Sequence, residues 1–101
     1  SARDTLLGNA GWFRQALRQA GFQVPEGITP IIPVIIGDAL KTLQFSLKLL
    51  EEGIQISAMR PPAVAVGTSR LRITLMATHT RNDLSFALEK IKSVGGSLGV
   101  I

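Results

Sequence analysis

Two arginines in one short stretch are the side chains best placed for chemistry. In Gly67-Thr68-Ser69-Arg70-Leu71-Arg72-Ile73-Thr74-Leu75 the apolar residues Leu71, Ile73 and Leu75 alternate with Arg70, Arg72 and Thr74. That period of two predicts a strand with one apolar face and one face carrying two guanidinium groups. A guanidinium keeps its charge and matches a carboxylate with two parallel donors, so the pattern suits orienting an anionic substrate. Arg72, held in a strand, is placed more rigidly than a loop arginine.

Other chemistry is sparse. His79 is the single histidine and there is no cysteine, so disulfides, thiol chemistry and a cysteine-bound metal are excluded and a zinc site is disfavoured. His79 reads as a hydrogen-bonded structural residue between the third strand and the last helix. Lys41, Lys48, Lys90 and Lys92 fall on charged helix faces, outside the apolar setting that a Schiff-base lysine needs. No GxSxG, GxGxxG or phosphate-loop motif is present. The sequence therefore offers a binding arginine, with no catalytic, cofactor-binding or metal-binding residue.

The net charge of +4 raises the possibility of nucleic-acid binding. The basic residues are spread along the chain and no tyrosine or aromatic ladder accompanies them, which speaks against it. No apolar run reaches the ~20 residues of a membrane span. A length of 101 residues allows one small domain. Because the chain opens at Ser1 in mid-pattern, it is expected to be a piece of a longer one, truncated at its N-terminal end.

The elements that position the arginines follow from periodicity and caps. Asn9 is expected to cap a helix from Ala10, with Phe13, Ala16, Leu17 and Ala20 inward, Arg14, Arg18 and Gln19 in water, and Gly21 ending it. Pro30–Ile36 is a strand covered on both faces, and Pro33 assigns it to an edge or a bulge. Asp38 caps a second helix, with Leu40, Leu43, Leu47 and Leu50 as the core stripe. Phe45 and Leu49 lie on another face, where a stray exposed pair and a contact with further protein both remain open. Gly53 ends that helix, and Ile54–Met59 alternates as a strand. Pro61 and Pro62 then open a nine-residue loop before Arg70, longer than the ~2–5 residues of a hairpin turn. Thr80 and Asp83 form a capping box for a last helix with Leu84, Ala87, Leu88, Ile91 and Val94 inward, stopped at Gly95-Gly96. The tail Ser97–Ile101 shows no pattern. The expected fold is α+β: a small, mostly antiparallel three-stranded sheet with helices packed on the face of Ile54, Ile56, Leu71, Ile73 and Leu75. Gln55, Ser57, Met59, Arg70, Arg72 and Thr74 take the opposite face.

Several blocks in order carry a family resemblance. Thr29–Asp38 (TPIIPVIIGD), Ala58–Pro62 (AMRPP), Gly67–Leu75 (GTSRLRITL) and Ala77–Thr80 (ATHT) resemble the C-terminal part of the α-oxoamine synthases, pyridoxal-phosphate (PLP) enzymes of the aspartate-aminotransferase fold. The Arg-Pro-Pro and Gly-Thr-Ser-Arg-Leu-Arg segments resemble the 8-amino-7-oxononanoate synthases of the biotin pathway more than the 2-amino-3-ketobutyrate CoA ligases. The resemblance implies a small C-terminal domain, residues 1–101, of an acyltransferase that condenses L-alanine with a pimeloyl thioester (on coenzyme A or acyl carrier protein), with decarboxylation. It implies PLP in the full-length enzyme, none bound by this piece, and a cytoplasmic homodimer in which this domain meets its own N-terminal and large domains. The cofactor lysine, the ring-stacking histidine and the pyridine aspartate fall upstream of Ser1. Arg72 matches the family arginine that binds the amino-acid carboxylate. Ala63 stands where the family often carries a substrate-contacting Thr, and Ala65 where it often carries Pro; both departures bear on the acyl-substrate contacts of this loop. The alternatives are a related α-oxoamine synthase, a self-contained anion-binding or regulatory α+β module and, more weakly, an RNA-binding module.

Overall fold

A computed structural model describes Ser1–Ile101. The chain runs α1 (Ala2–Ala20), β1 (Ile31–Gly37), α2 (Ala39–Glu51), β2 (Ser57–Met59), β3 (Ser69–Thr74) and α3 (Arg81–Ser97). The three strands form one antiparallel sheet of order β1-β3-β2. The alternation read in β3 is realised: Leu71, Ile73 and Leu75 are buried, while Arg72 and Thr74 are exposed. Opposite them, Ile32 pairs with Ile73 and Val34 with Leu71, both buried, so β1 turns one face inward; its other face, expected to be covered, is not, and Ile31 there is 40% exposed.

β1 is an edge strand, as Pro33 required. Leu75 N–H donates to Pro30 O at 3.0 Å, so β3 bonds to β1 through its odd-numbered residues. Pro33 opposes Arg72 and needs no donor towards β3. Ile35 spends its outward N–H on Gln23 O at 2.9 Å, which helps to close the open edge.

All three helices stop in one way. Gly21, Gly53 and Gly99 take positive φ angles of 109°, 84° and 73°. The next residue returns its N–H to a carbonyl in the last turn: Phe22 to Leu17, Ile54 to Leu49, Val100 to Gly95. This is the Schellman arrangement, which glycine enters without steric cost. It explains why β2 is shorter than its alternation suggested: Ile54 is held by the cap of α2, and the ladder starts only at Ser57.

Five expectations are corrected by packing. α1 starts at Ala2, capped by the Ser1 hydroxyl, which accepts from Asp4 N–H at 3.3 Å. Asn9 lies inside this helix, and its Oδ1 accepts instead from Arg81 Nε and Nη2. Arg14 is buried, 5% exposed, with Nη2 donating to Ile31 O at 2.8 Å. Burial first, and then the Arg18 charge, hold its pKa below the ordinary guanidinium value. The stripe of α2 is turned: Thr42, Phe45 and Leu49 are inside, whereas Leu40, Leu47 and Leu50 are exposed. α3 runs through Gly95 and Gly96 to Ser97, and Gly95 is small for packing, since a Cβ there would lie 2.6 Å from Phe22 Cζ. The tail also has a role, because Val100 packs on the core and Ile101 lies beside Gly21.

The capping box of α3 is present: Thr80 Oγ1 accepts from Asp83 N–H at 3.1 Å, and Asp83 Oδ2 accepts from Thr80 N–H at 2.9 Å. The bond from the Thr80 backbone, and then that with its side chain, hold the Asp83 pKa below its ordinary 3.8. A depressed carboxylate contributes stability in full above the ordinary value and loses it as pH falls through the lower folded value. In urea midpoints measured against pH, the deficit of Asp83→Asn relative to wild type should be largest above about pH 5 and shrink as acid protonates Asp83. A deficit independent of pH would contradict this.

Candidate functional site

Sheet register builds the surroundings of Arg72. Residues directly opposite in an antiparallel ladder share a face. Arg72 opposes Pro33 on β1 and Ser57 on β2; Arg70 opposes Ile35 and Met59; Thr74 opposes Ile31. The outer face is therefore a central line of Arg70, Arg72 and Thr74, edged by Ile31, Pro33 and Ile35 on one side and Ser57 and Met59 on the other. Arg72 is exposed and takes part in none of the chain's ion pairs. Arg70 is half-buried, with Nε donating to Thr68 O at 3.0 Å. One guanidinium is tied to the end of the loop; the other is free to meet an incoming anion.

Ala63 lies in the exposed loop between β2 and β3. That loop bonds within itself: Ala63 N–H donates to Arg60 O at 3.0 Å, and Thr68 N–H and Oγ1 donate to Ala65 O at 3.1 and 2.6 Å. No hydrogen bond joins it to Arg72, and a methyl at position 63 offers none. Sequence reasoning missed the β1 side of the face. The inward Ile32 and Val34 of PIIPVII hint at it, but only the register places Pro33 beside Arg72.

His79 is structural, as expected: its Nδ1 accepts from Met76 N–H at 2.9 Å and fixes the turn into α3. A cavity of about 270 Å³ lies between residues 53–56, the end of β3 and α3, lined by Ile54, Ile56, Ile73, His79, Leu84 and Phe86 among others; Arg72 is not part of it.

The residues present do not fit a PLP site. Lys90 Nζ lies 3.1 Å from Glu52 and Lys92 Nζ 3.5 Å from Glu89. Lys41 and Lys48 are exposed on α2. None lines a pocket from which it could attack a carbonyl. The guanidinium of Arg72, by contrast, is exposed on the outer face and takes part in no ion pair.

The profile of the aminotransferase class I and II family matches residues 1–91. The chain belongs to that family. Helices on one face of a three-stranded antiparallel sheet match the small C-terminal domain of the aspartate-aminotransferase-like fold. An 8-amino-7-oxononanoate synthase from Lysinibacillus sphaericus is 50% identical over 99 residues, 98% of this chain and 25% of that protein. A solved structure of SPT with PLP gives a TM-score of 0.94 at 29% identity, covering 99% of this chain and 26% of that one. The 8-amino-7-oxononanoate synthase of Francisella tularensis gives 0.77 at 25% identity, covering 91% of this chain and 27% of that one. The chain thus spans about a quarter of the length of the relatives it matches. No helix is long and apolar enough to cross a membrane.

Proposed function

We propose that this chain is the C-terminal small domain of a longer, PLP-dependent acyltransferase that condenses L-alanine with a pimeloyl thioester, losing carbon dioxide, to give 8-amino-7-oxononanoate for biotin synthesis. Arg72 carries the reading: a strand-held guanidinium, exposed and unpaired within the chain, which the sequence resemblance matches to the family arginine for the amino-acid carboxylate. PLP would be held by residues outside this chain, where it would supply an electron sink. Arg72 binds the carboxylate and sets the angle at which that carbon is presented, a matter of orientation more than affinity alone. Ser57 and Pro33 flank it on the neighbouring strands. The whole enzyme is a cytoplasmic homodimer, and the outer face of the sheet turns towards its large domain.

The test is an assay of the full-length protein with L-alanine and a pimeloyl thioester on coenzyme A or on acyl carrier protein. Carbon dioxide and free thiol should appear in equal amounts, and the 101-residue chain alone should yield neither. Turnover with glycine in place of alanine would transfer the reading to a 2-amino-3-ketobutyrate CoA ligase-like enzyme. Turnover by the 101 residues alone would refute the inactivity of the piece.

A further inference from the structure

Helix α2 carries a second apolar row that the core does not use. Leu40, Leu47 and Leu50 are 63%, 52% and 56% exposed, and Leu43 is half-buried. At 3.6 residues per turn the four fall within about 80° of one another, on the side away from Thr42, Phe45 and Leu49. Single exposed leucines are ordinary; three exposed and one half-buried along one helix face form a patch that marks an interaction site.

The row has its own symmetry. Leu40 and Leu43 at one end mirror Leu50 and Leu47 at the other, about a midpoint at Phe45. A second copy laid antiparallel across a two-fold axis sets Leu40 on the other copy's Leu50 and Leu43 on its Leu47, the self-complementary match that a two-fold interface requires. Lys41, Gln44, Lys48 and Glu51 lie along one flank of the row and are all exposed. The same axis brings Lys41 towards Glu51 of the second copy and Gln44 towards its Lys48, while the two helix dipoles oppose.

We propose that the leucine row of α2 is a self-recognition surface on which a second copy of this chain docks antiparallel. The surface goes beyond the enzymatic reading and does not depend on it. Three leucines that are each little more than half exposed fall short of the ~800 Å² per partner of a standing dimer, so the association is weak and reversible.

Sedimentation velocity of the 101-residue chain from about 10 µM to about 1 mM should show the weight-average mass rising towards a dimer. Leu47→Glu should stay monomeric over the same range with an unchanged circular-dichroism spectrum. Because the chain has no cysteine, orientation can be read by oxidative cross-linking. A mixture of Leu40→Cys and Leu50→Cys chains should give the mixed disulfide several-fold above either homodisulfide. Three results would each overturn the proposal: a monomer throughout, association of Leu47→Glu equal to wild type, or predominance of the homodisulfides. Failure here leaves the alanine assay untouched, so the two readings are distinguishable.

Discussion

In the complete enzyme, Arg72→Ala should weaken the dependence on alanine by roughly 10- to 150-fold. The figure follows from the loss of a charge-assisted hydrogen bond, about 1.5–3 kcal/mol, converted at 1.4 kcal/mol per decade. Under the proposed function the turnover number should fall as well, because an arginine on the substrate carboxylate would also set its angle. Arg72→Lys should recover only part, since an ammonium offers a point charge in place of a planar fork. Arg70 is the internal control. It shares the outer face, but its Nε is engaged by Thr68 O at 3.0 Å, so its substitution acts first on the end of the loop. Arg70→Ala should therefore cost less in alanine dependence than Arg72→Ala. Steady-state kinetics with alanine varied decides the matter: normal alanine dependence in Arg72→Ala, with the loss appearing in Arg70→Ala, would move the carboxylate site to the other arginine.

How much of this was legible before folding depends on whether a local rule had a competitor. β3 had none: period two admits one inward set, and Leu71, Ile73 and Leu75 are that set. The capping box at Thr80 and Asp83, the cap at Asp38 and the stops at Gly21 and Gly53 are likewise local chemistry and appear as read. α2 had a competitor. Its two stripes both satisfy the helical repeat, and the leucine-rich one looked apolar enough to be the core. The chosen stripe includes Thr42, whose polarity is hidden because its hydroxyl donates to Asp38 O at 2.6 Å. It also includes Phe45, whose ring finds Phe22 at 6.1 Å from across the chain. Arg14 failed for the same reason: its acceptor, Ile31 O, lies seventeen residues ahead. Gly95 read as a stop because glycine usually is one, whereas here Phe22 needs the space. On the sheet, the outward face of Arg72 was legible. Ser57 was read on the same face, but its pairing with Arg72 and the place of Pro33 beside it were not, since register between strands is a tertiary property.

The turned stripe of α2 yields the largest expected loss of stability. Phe45 is fully buried and its ring lies tilted at 56° to that of Phe22. Truncating such a ring removes its transfer energy and leaves a cavity, about 3–5 kcal/mol for Phe→Ala. Small domains have only ~5–15 kcal/mol in total, so Phe45→Ala should lose a large fraction of the chain's stability. Phe45→Leu keeps part of the volume and should remain folded at a smaller cost, which keeps the comparison measurable. Leu47, two residues on, is 52% exposed, and its replacement by alanine should stay within about ±0.5 kcal/mol. For a domain of this size that is a shift of no more than about 2–4 °C in Tm, against tens of degrees for Phe45→Ala. Melts are best run near 10 µM, the dilute end of the sedimentation series, so that docking through the leucine row does not add to the apparent stability. If Leu47→Ala loses more than Phe45→Leu under those conditions, the helix is rotated the other way, its leucines belong to the core, and the self-recognition surface falls with it.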